Sequence, residues 1–290
     1  MHAMSAVKDW WAQGERVHLT LNGRDRAIFV RRLGAGPVMT LLHGFPSSSH
    51  DWARLLPALA ETHTLLLADF LGFGASDKPA EHEYSLLEQA DLVEALWVHE
   101  GVGASAVLAH DYAVSVTQEL LARRTEARLR VDLRGVHLLN GGLYPDLHRP
   151  QATQTALLDP EQGPRISALL DERLFAAALR PTFAEDFDAA PDSADIWEAT
   201  SRDGGQRIGH LLIRYLTDRE SHRERWVAAL ERTDVPLAFV WGMRDPISGT
   251  HMAERIRQRL PDAPFTELDD VAHWPSLEAP ERLAAAVLET

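Results

Sequence analysis

Apolar and polar positions along the chain follow two periods, one typical of strands and the other of helices. Segments 17–21 and 27–32 alternate apolar with polar side chains across the turn-prone Asn22-Gly23-Arg24-Asp25, which predicts an antiparallel hairpin. Four later runs are short and mainly apolar, as expected for strands buried on both faces of a parallel sheet. These runs cover residues 38–42, 64–68, 104–109 and 136–139.

Helical patterns lie between these runs, at residues 52–60, 86–98 and 117–124. Alternation of strand and helix at this spacing indicates βαβ units with right-handed crossovers. From about residue 141 to 234 no strand-like run occurs, and the segment is helical in pattern and interrupted by prolines. The alternation then resumes with a strand at 236–241, a helix at 251–259, a strand at 265–268 and a helix at 280–290.

The interruption predicts how the chain is organised. We expect a doubly wound α/β core domain, with a mostly parallel sheet, from residues 1–140 and 235–290. Residues 141–234 are expected to form an inserted helical cap over the carboxyl ends of the strands, where open α/β sheets bind ligands.

Composition limits the possible functions of the chain. A net charge of −14 argues against binding to nucleic acid or to anionic membrane surfaces. The absence of cysteine excludes disulfides, thiolate metal sites and a cysteine nucleophile. No apolar run is long enough to span a membrane, and residues 1–5 do not start a signal peptide, so a cytoplasmic protein is expected. Neither a metal-ligand spacing nor a dinucleotide fingerprint is present, so no cofactor is expected.

Residues 107–115 join an apolar run to a helical pattern through a turn of small residues around Asp111. This is the layout of a nucleophile elbow, in which a strained strand-to-helix turn lifts one side chain above a sheet. A lifted carboxylate can attack a saturated carbon and form an ester that a histidine-activated water hydrolyses. Asp111 therefore predicts substrates opened at an sp³ carbon, such as epoxides and alkyl halides. The alternative is a structural helix N-cap aspartate.

Residues 43–46, His-Gly-Phe-Pro, directly follow the predicted strand 38–42. Glycine lets the backbone turn so that an N–H can face the elbow. We expect the backbone amides of Phe45 and Tyr112 to form an oxyanion hole, with an ordinary turn as the alternative.

Asp245 and His273 follow the last two predicted strands. Asp245 would orient the histidine and stabilise its imidazolium, and His273 would take a proton from the hydrolytic water. Taken alone, each of these two residues is equally compatible with an ordinary loop position. Their order after Asp111, acid and then histidine, is that of α/β-hydrolases.

With these residues in place, the chain resembles α/β-hydrolases of the epoxide hydrolase and haloalkane dehalogenase branch over nearly its whole length. The resemblance is carried by residues 43–46, 69–79, 107–115, 241–246 and 273. Within that branch the chain is similar to the mesoderm-specific transcript-like hydrolases, through residues 110–112, 140–142, 148–150 and 225–230. The resemblance to this branch implies an α/β-hydrolase fold with a cap. It also implies a catalytic triad of Asp111, Asp245 and His273.

The resemblance also tells which side chains would assist the leaving group. Tyr112 and Phe45 stand where many dehalogenases carry tryptophan and asparagine, so the halide cradle is incomplete unless Trp197 or Trp226 supplies an indole N–H. This departure counts against dehalogenation.

Epoxide hydrolases protonate the ring oxygen with tyrosines of the cap, and Tyr215 corresponds to the later of their two tyrosines. The earlier tyrosine has no clear counterpart between residues 151 and 180, and Tyr144 and His148 are substitutes that the sequence does not rank. Tyr215 on the outside of an amphipathic helix is the alternative.

We therefore predict a cofactor-independent hydrolase that forms a covalent aspartyl ester, with epoxide hydrolysis preferred. Haloalkane dehalogenation, another hydrolysis on this fold and a catalytically retired ligand-binding protein are the alternatives. The expected partners are a small apolar organic substrate and water, and the oligomeric state, monomer or homodimer, stays open. Catalytic roles fall to Asp111, His273, Asp245 and Tyr215, and substrate binding to His43, His110, Tyr144, His148 and Trp274.

Overall fold

One sheet of eight strands forms the centre of the computed structural model, which describes residues 5–290. The expectation about a signal peptide rests mainly on residues 1–4, which lie outside the described residues. The strands are β1 (Glu15–Leu21), β2 (Arg24–Gly34), β3 (Val38–Leu42), β4 (Thr64–Ala68), β5 (Ala104–His110), β6 (Asp132–Leu139), β7 (Leu237–Gly242) and β8 (Phe265–Leu268).

The spatial order of the strands is β1-β2-β4-β3-β5-β6-β7-β8. β2 pairs antiparallel with β1 and β4, and every pair from β4 to β8 is parallel. The predicted mostly parallel sheet is therefore confirmed. The hairpin turn is tighter than predicted, because only Asn22 and Gly23 lie outside the strands, both with positive φ (50° and 73°).

Neighbouring residues of the central strands point into different hydrophobic clusters on the two faces of the sheet. Leu66 and Val107 belong to one cluster, and Leu65 and Leu108 belong to the other. Because both faces are covered, these strands are apolar throughout rather than alternating.

Helices cover the sheet and fill the segment between β6 and β7. They are α1 (Ala6–Ala12), α2 (Leu56–Leu59), α3 (Leu86–His99), α4 (Tyr112–Thr125), α5 (Ala152–Leu158), α6 (Gln162–Leu169), α7 (Glu172–Leu179), α8 (Ala190–Ser201), α9 (Gly209–Leu212), α10 (Tyr215–Ser221), α11 (Arg223–Arg232), α12 (Thr250–Arg259), α13 (Pro275–Glu278) and α14 (Pro280–Leu288). Short 3₁₀ turns occur at Ser49–Trp52, Pro145–Leu147, Arg180–Thr182 and Arg202–Ile208.

Two helix predictions were wrong in extent. The helix predicted at 52–60 is a 3₁₀ turn, Ser49–Trp52, followed by the single turn α2. Pro57 lies in the first turn of α2, and a longer helix through this residue would lose a backbone hydrogen bond. The helix predicted at 117–124 begins earlier, at Tyr112, directly after the candidate nucleophile.

Residues 140–236 contain helices and turns only, with no strand. The division of the chain into a core domain and a cap stays an interpretation of this pattern. Among residues 5–290, no helix is both long enough and apolar enough to cross a membrane.

Glu119 joins α4, which starts at the candidate nucleophile, to α11. Its buried carboxylate accepts hydrogen bonds from Arg123 Nε at 2.7 Å and Trp226 Nε1 at 2.8 Å, and it also pairs with Arg225. Removing a carboxylate that is buried and paired in this way lowers the stability of the protein, because donors shielded from water lose their acceptor.

We predict that Glu119→Ala lowers the free energy of unfolding by about 3 kcal/mol, since the buried Arg123 Nε–H and Trp226 indole N–H lose a charged acceptor. Urea denaturation measures this change, with Glu61→Ala at an exposed position as the matched control. A Glu119→Ala variant as stable as that control would contradict the structural role of this carboxylate.

Candidate active site

Asp111 lies at the turn between β5 and α4, with a backbone conformation that few non-glycine residues adopt (φ 48°, ψ −104°). Its side chain makes no capping hydrogen bond to the helix that follows. The N-cap alternative is therefore wrong, and the carboxylate is free to make other contacts. Its backbone N–H donates to the carbonyl of Asn140 at 3.0 Å, which ties the turn to the end of β6.

The turn at residues 43–46, directly after β3, contacts the carboxylate of Asp111. The backbone N–H of Phe45 donates to Asp111 Oδ2 at 3.0 Å. Gly44 permits this approach, since a Cβ atom there would lie 3.0 Å from the Cβ of Asp111. Tyr112, the other residue predicted for the oxyanion hole, begins α4, so its N–H has no acceptor within the helix.

His273 lies between the two aspartates. Its Nδ1 is 2.9 Å from Asp245 Oδ2, and its Nε2 is 3.9 Å from Asp111 Oδ1. The structure thus brings together the three side chains predicted as a triad. The two oxygens of Asp111 differ, because Oδ2 accepts from Phe45 while Oδ1 accepts no hydrogen bond from the described residues.

Asp245 is fixed by more groups than His273 alone. Ser248 Oγ donates to Oδ2 at 2.7 Å, the Ile247 N–H donates to Oδ1 at 2.7 Å, and Asn140 Nδ2 donates to Oδ2 at 2.9 Å. Sequence reasoning missed Asn140 as a functional residue. Its position directly after β6 was the available signal.

The charges in this site set the pKa values of its members. Burial alone would lower the pKa of His273, but the negative charges of Asp245 and Asp111 raise it to about 9. Burial would raise the pKa of Asp245, but the charge and hydrogen bond of His273 hold it well below its usual range. His273 is therefore mainly an imidazolium at neutral pH.

A cavity of about 100 Å³ opens in front of Asp111 and His273. Apolar side chains from the helical segment, such as Leu157, Phe175 and Leu212, form much of its wall. A mainly apolar cavity with a few convergent polar groups is the usual form of a small-molecule site.

Of the five residues predicted to bind substrate, Trp274 is the one that lines this cavity. Its indole N–H donates to Thr182 Oγ1 at 2.8 Å, so the ring presents an apolar face. His43 is fully buried below the turn, where Nδ1 donates to the Gly44 carbonyl at 2.8 Å and Nε2 accepts from the Phe70 N–H at 3.0 Å. His43 thus orients the turn and does not line the cavity.

His110 also lies behind the site and does not line the cavity. Its Nε2 donates to the backbone carbonyl of His273 at 2.7 Å, which holds the loop carrying that histidine. Burial lowers the pKa of His110 to about 4, so its ring is neutral at pH 7.

Neither Tyr144 nor His148 lines the cavity that the described residues form. Tyr144 faces a separate polar groove beside α11 and α12, with Asp146 and Arg255. His148 lies nearer to the site. Burial, followed by the positive charge of Arg219, lowers its pKa to about 4, and neither ring nitrogen has a partner among residues 5–290.

Tyr215 is fully buried and packs against both residues of the predicted oxyanion hole. Its ring centroid is 5.1 Å from that of Tyr112 and 5.7 Å from that of Phe45. The alternative of a solvent-facing helix residue is therefore wrong. Tyr215 does not itself line the cavity, and its hydroxyl accepts a hydrogen bond from Gln154 Nε2 at 3.4 Å.

Sequence reasoning also missed Arg219, one turn after Tyr215 in α10. Its Nη2 donates to the backbone carbonyl of Asp111 at 3.0 Å, and its Nε donates to Ser115 Oγ at 2.7 Å. The guanidinium stacks over the ring of Tyr215, with 4.5 Å between its Cζ and the ring centroid. Nη2 also lies 4.0 Å from Asp111 Oδ1. The i,i+4 spacing to Tyr215 was the only signal in the sequence.

Among the described residues, no group of three or more His, Cys, Asp or Glu side chains could hold a metal ion.

Comparisons with known proteins show what this chain is similar to. The family model described as alpha/beta hydrolase fold matches residues 37–280. The Mycobacterium tuberculosis protein named Putative hydrolase LipZ is 41% identical over 280 residues, 96% of each chain. The human mesoderm-specific transcript homolog protein is 37% identical over 257 residues, 86% of this chain and 76% of that protein. Haloalkane dehalogenase 2 of Mycobacterium tuberculosis is 26% identical over 264 residues, 88% of each.

Solved structures show the same fold at lower identity. Haloalkane dehalogenase DbeA from Bradyrhizobium elkani superposes with a TM-score of 0.79 at 22% identity, covering 95% of this chain and 97% of that one. The epoxide hydrolase CorEH superposes with a TM-score of 0.74 at 20% identity, covering 95% and 98%.

We predict that Arg219→Met lowers the free energy of unfolding by about 3 kcal/mol, because Ser115 and the Asp111 carbonyl lose a charged donor. Arg219→Lys keeps the charge but not the forked hydrogen bonds, so its loss should be smaller. Urea denaturation compares both with Arg165→Met at an exposed position. Equal stability of Arg219→Met and that control would exclude this role.

We further predict that the imidazole of His273 titrates near pH 9 and that Asp245→Asn lowers this pKa. The change removes a negative charge and leaves burial, which favours the neutral ring. Nitrogen-detected NMR of labelled histidine, with His273 assigned through its Gln variant, follows the titration. A midpoint near 6.5 in both proteins would show that the two carboxylates do not act on this ring.

Proposed function

Since the chain belongs to the alpha/beta hydrolase fold family, we propose that it is a hydrolase whose nucleophile is Asp111 and whose substrates react at an sp³ carbon. The observation that carries this proposal is the position of Asp111 Oδ1, which accepts no hydrogen bond from residues 5–290 and lies 3.9 Å from His273 Nε2. An Asp nucleophile, an Asp–His pair and an oxyanion donor are the parts that ester formation and hydrolysis need.

In the first step, Asp111 Oδ1 attacks a carbon of an epoxide ring and the carbon–oxygen bond breaks. The ring oxygen reaches past the cavity wall beside Gln154 to the hydroxyl of Tyr215, takes its proton and becomes a hydroxyl group. Asp111 Oδ2 remains hydrogen-bonded to the N–H of Phe45, so Oδ2 becomes the carbonyl oxygen of the new ester.

Forming the ester also prepares His273 for the second step. The charge of Asp111 contributes to the raised pKa of His273, so losing that charge lowers this pKa. The proton that His273 then releases restores the hydroxyl of Tyr215.

In the second step, the neutral His273 takes a proton from water, and the water oxygen attacks Cγ of Asp111. Negative charge moves to Oδ2, beside the N–H groups of Phe45 and Tyr112. When the intermediate collapses, the diol oxygen leaves with the proton of the added hydroxyl. Asp111 is again a carboxylate, and one of its oxygens comes from water.

An epoxide suits this site better than a haloalkane because the available donors act on oxygen. The indole N–H of Trp226 is bound to Glu119, and that of Trp274 is bound to Thr182, so neither is free for a halide. Trp197 packs against Phe175, with 5.3 Å between ring centroids, and does not line the cavity. Dehalogenation is the second candidate, because a haloalkane dehalogenase is among the sequence relatives.

We predict that His273→Gln accumulates the aspartyl ester, because the ester forms but no base activates water. Intact-mass analysis after incubation with styrene oxide should show one added molecule of the epoxide. Peptide mapping should place it on Asp111, and a His273→Gln, Asp111→Asn double variant should show no adduct.

The same variant separates the candidate functions. An adduct from a panel of bromoalkanes, with bromide released, and none from a panel of epoxides would favour dehalogenation. No adduct from either panel would favour a ligand-binding protein that has lost catalysis, since the presence of these residues does not fix their use.

A further inference from the structure

Gln154, in α5, is the polar side chain that connects the cavity in front of Asp111 with the buried Tyr215. It lines the cavity, whereas Tyr215 does not. Its Nε2 donates to the hydroxyl of Tyr215 at 3.4 Å. The two residues come from different helices, so only the folded chain brings them together.

The orientation of the Gln154 amide is set by its second contact. Its Oε1 accepts the backbone N–H of Gln151 at 2.8 Å, at the N-terminus of α5. A flipped amide would place two donors face to face, so the NH₂ group must point towards Tyr215. One of its two N–H groups then remains for a ligand in the cavity.

The contacts of Tyr215 favour loss of its proton to a substrate. Its hydroxyl oxygen accepts from Gln154, and no described residue accepts the hydroxyl proton. The guanidinium of Arg219 lies over its ring and would stabilise the phenolate that forms. Burial nevertheless raises the pKa of Tyr215, so the phenolate needs both contacts.

We propose that Gln154 is a catalytic residue that donates one amide N–H to the oxygen leaving the substrate carbon and the other to Tyr215. This inference rests on the proposed function and names the second donor that the reaction needs. Tyr215 supplies the proton and Gln154 supplies hydrogen bonds only, because a neutral amide does not give up a proton at neutral pH. Because an oxygen leaving group needs the proton of Tyr215 and a halide does not, the substrate class is one with an oxygen leaving group, such as an epoxide.

Asp111 Oδ1 forms a bond to carbon, the carbon–oxygen bond breaks, and its electron pair goes to the oxygen. That oxygen takes the proton of Tyr215 while it accepts an N–H from Gln154. The phenolate keeps its hydrogen bond from Gln154 until the proton of His273 restores the hydroxyl.

Single-turnover ester formation tests this proposal, with His273→Gln as the parent so that the ester does not turn over. The probe is styrene oxide, and the rate of mass increase is followed by quenched-flow mass spectrometry. Gln154→Leu removes both donors, and we expect ester formation to slow on the order of 100-fold, as for loss of one oxyanion donor. Tyr215→Phe should slow it as well, and the double variant should lose much less than the product of the two effects.

Gln154→Glu separates lost hydrogen bonding from lost packing, since the two side chains have the same shape. As a carboxylate, the Glu side chain donates no hydrogen bond and instead accepts one from the Tyr215 hydroxyl. The rate of ester formation relative to the parent should therefore be low at pH 8. That ratio should rise as pH falls and the new carboxyl group gains a donor proton. A purely structural role would not give this pH dependence. Gln162→Leu, an exposed glutamine of α6, is the matched control and should react at the parent rate.

Parent-like rates for Gln154→Leu and Gln154→Glu would overturn the role of Gln154 and leave the role of Asp111 standing. Slow reaction of Gln154→Glu at every pH, equal to that of Gln154→Leu, would also overturn it, because packing would then explain the loss. Failure of the His273→Gln parent to form any adduct, from styrene oxide or from the wider epoxide panel, would instead overturn the proposed function, and the role of Gln154 with it.

Discussion

The conformation of Asp111 is the constraint on which the rest of the site depends. A non-glycine residue in so sparsely populated a backbone region costs about 1–3 kcal/mol and persists only where its surroundings hold it. Here the N–H of Asp111 is held by β6, its carbonyl is held by Arg219, and its carboxylate is held by the N–H of Phe45. All three contacts turn the side chain towards the cavity and away from α4.

Burying the site requires its charges to balance. Asp111 and Asp245 carry negative charge, and the imidazolium of His273 and the guanidinium of Arg219 offset it, all four being almost inaccessible to solvent. Buried charges are tolerated only when paired and hydrogen-bonded. Because Arg219 comes from α10, the helical segment contributes to the charge balance of the nucleophile as well as to the wall of its cavity.

Much of the fold and the centre of the site could be predicted from the sequence, because both depend on local patterns. Apolar runs gave the parallel strands, and Asp111, Asp245 and His273 each follow a strand of one sheet, so their side chains meet at its carboxyl edge. The contacts of the helical segment could not be predicted. Neither Gln154 nor Arg219 stands in a motif, and their contacts with Tyr215 and Asp111 join residues far apart in sequence. Histidines beside a motif were misleading for the same reason, since His43 and His110 hold the backbone and do not face the cavity.

The most direct test of the account is to follow the oxygen of water through one turnover. With enzyme in excess over styrene oxide in ¹⁸O-labelled water, attack on the ester carbonyl must place the label in the carboxylate of Asp111 and leave the first diol unlabelled. Label in the Asp111 peptide after one turnover is the predicted result. Label in the diol and none in that peptide would mean that water attacks the substrate directly, which contradicts a nucleophilic Asp111.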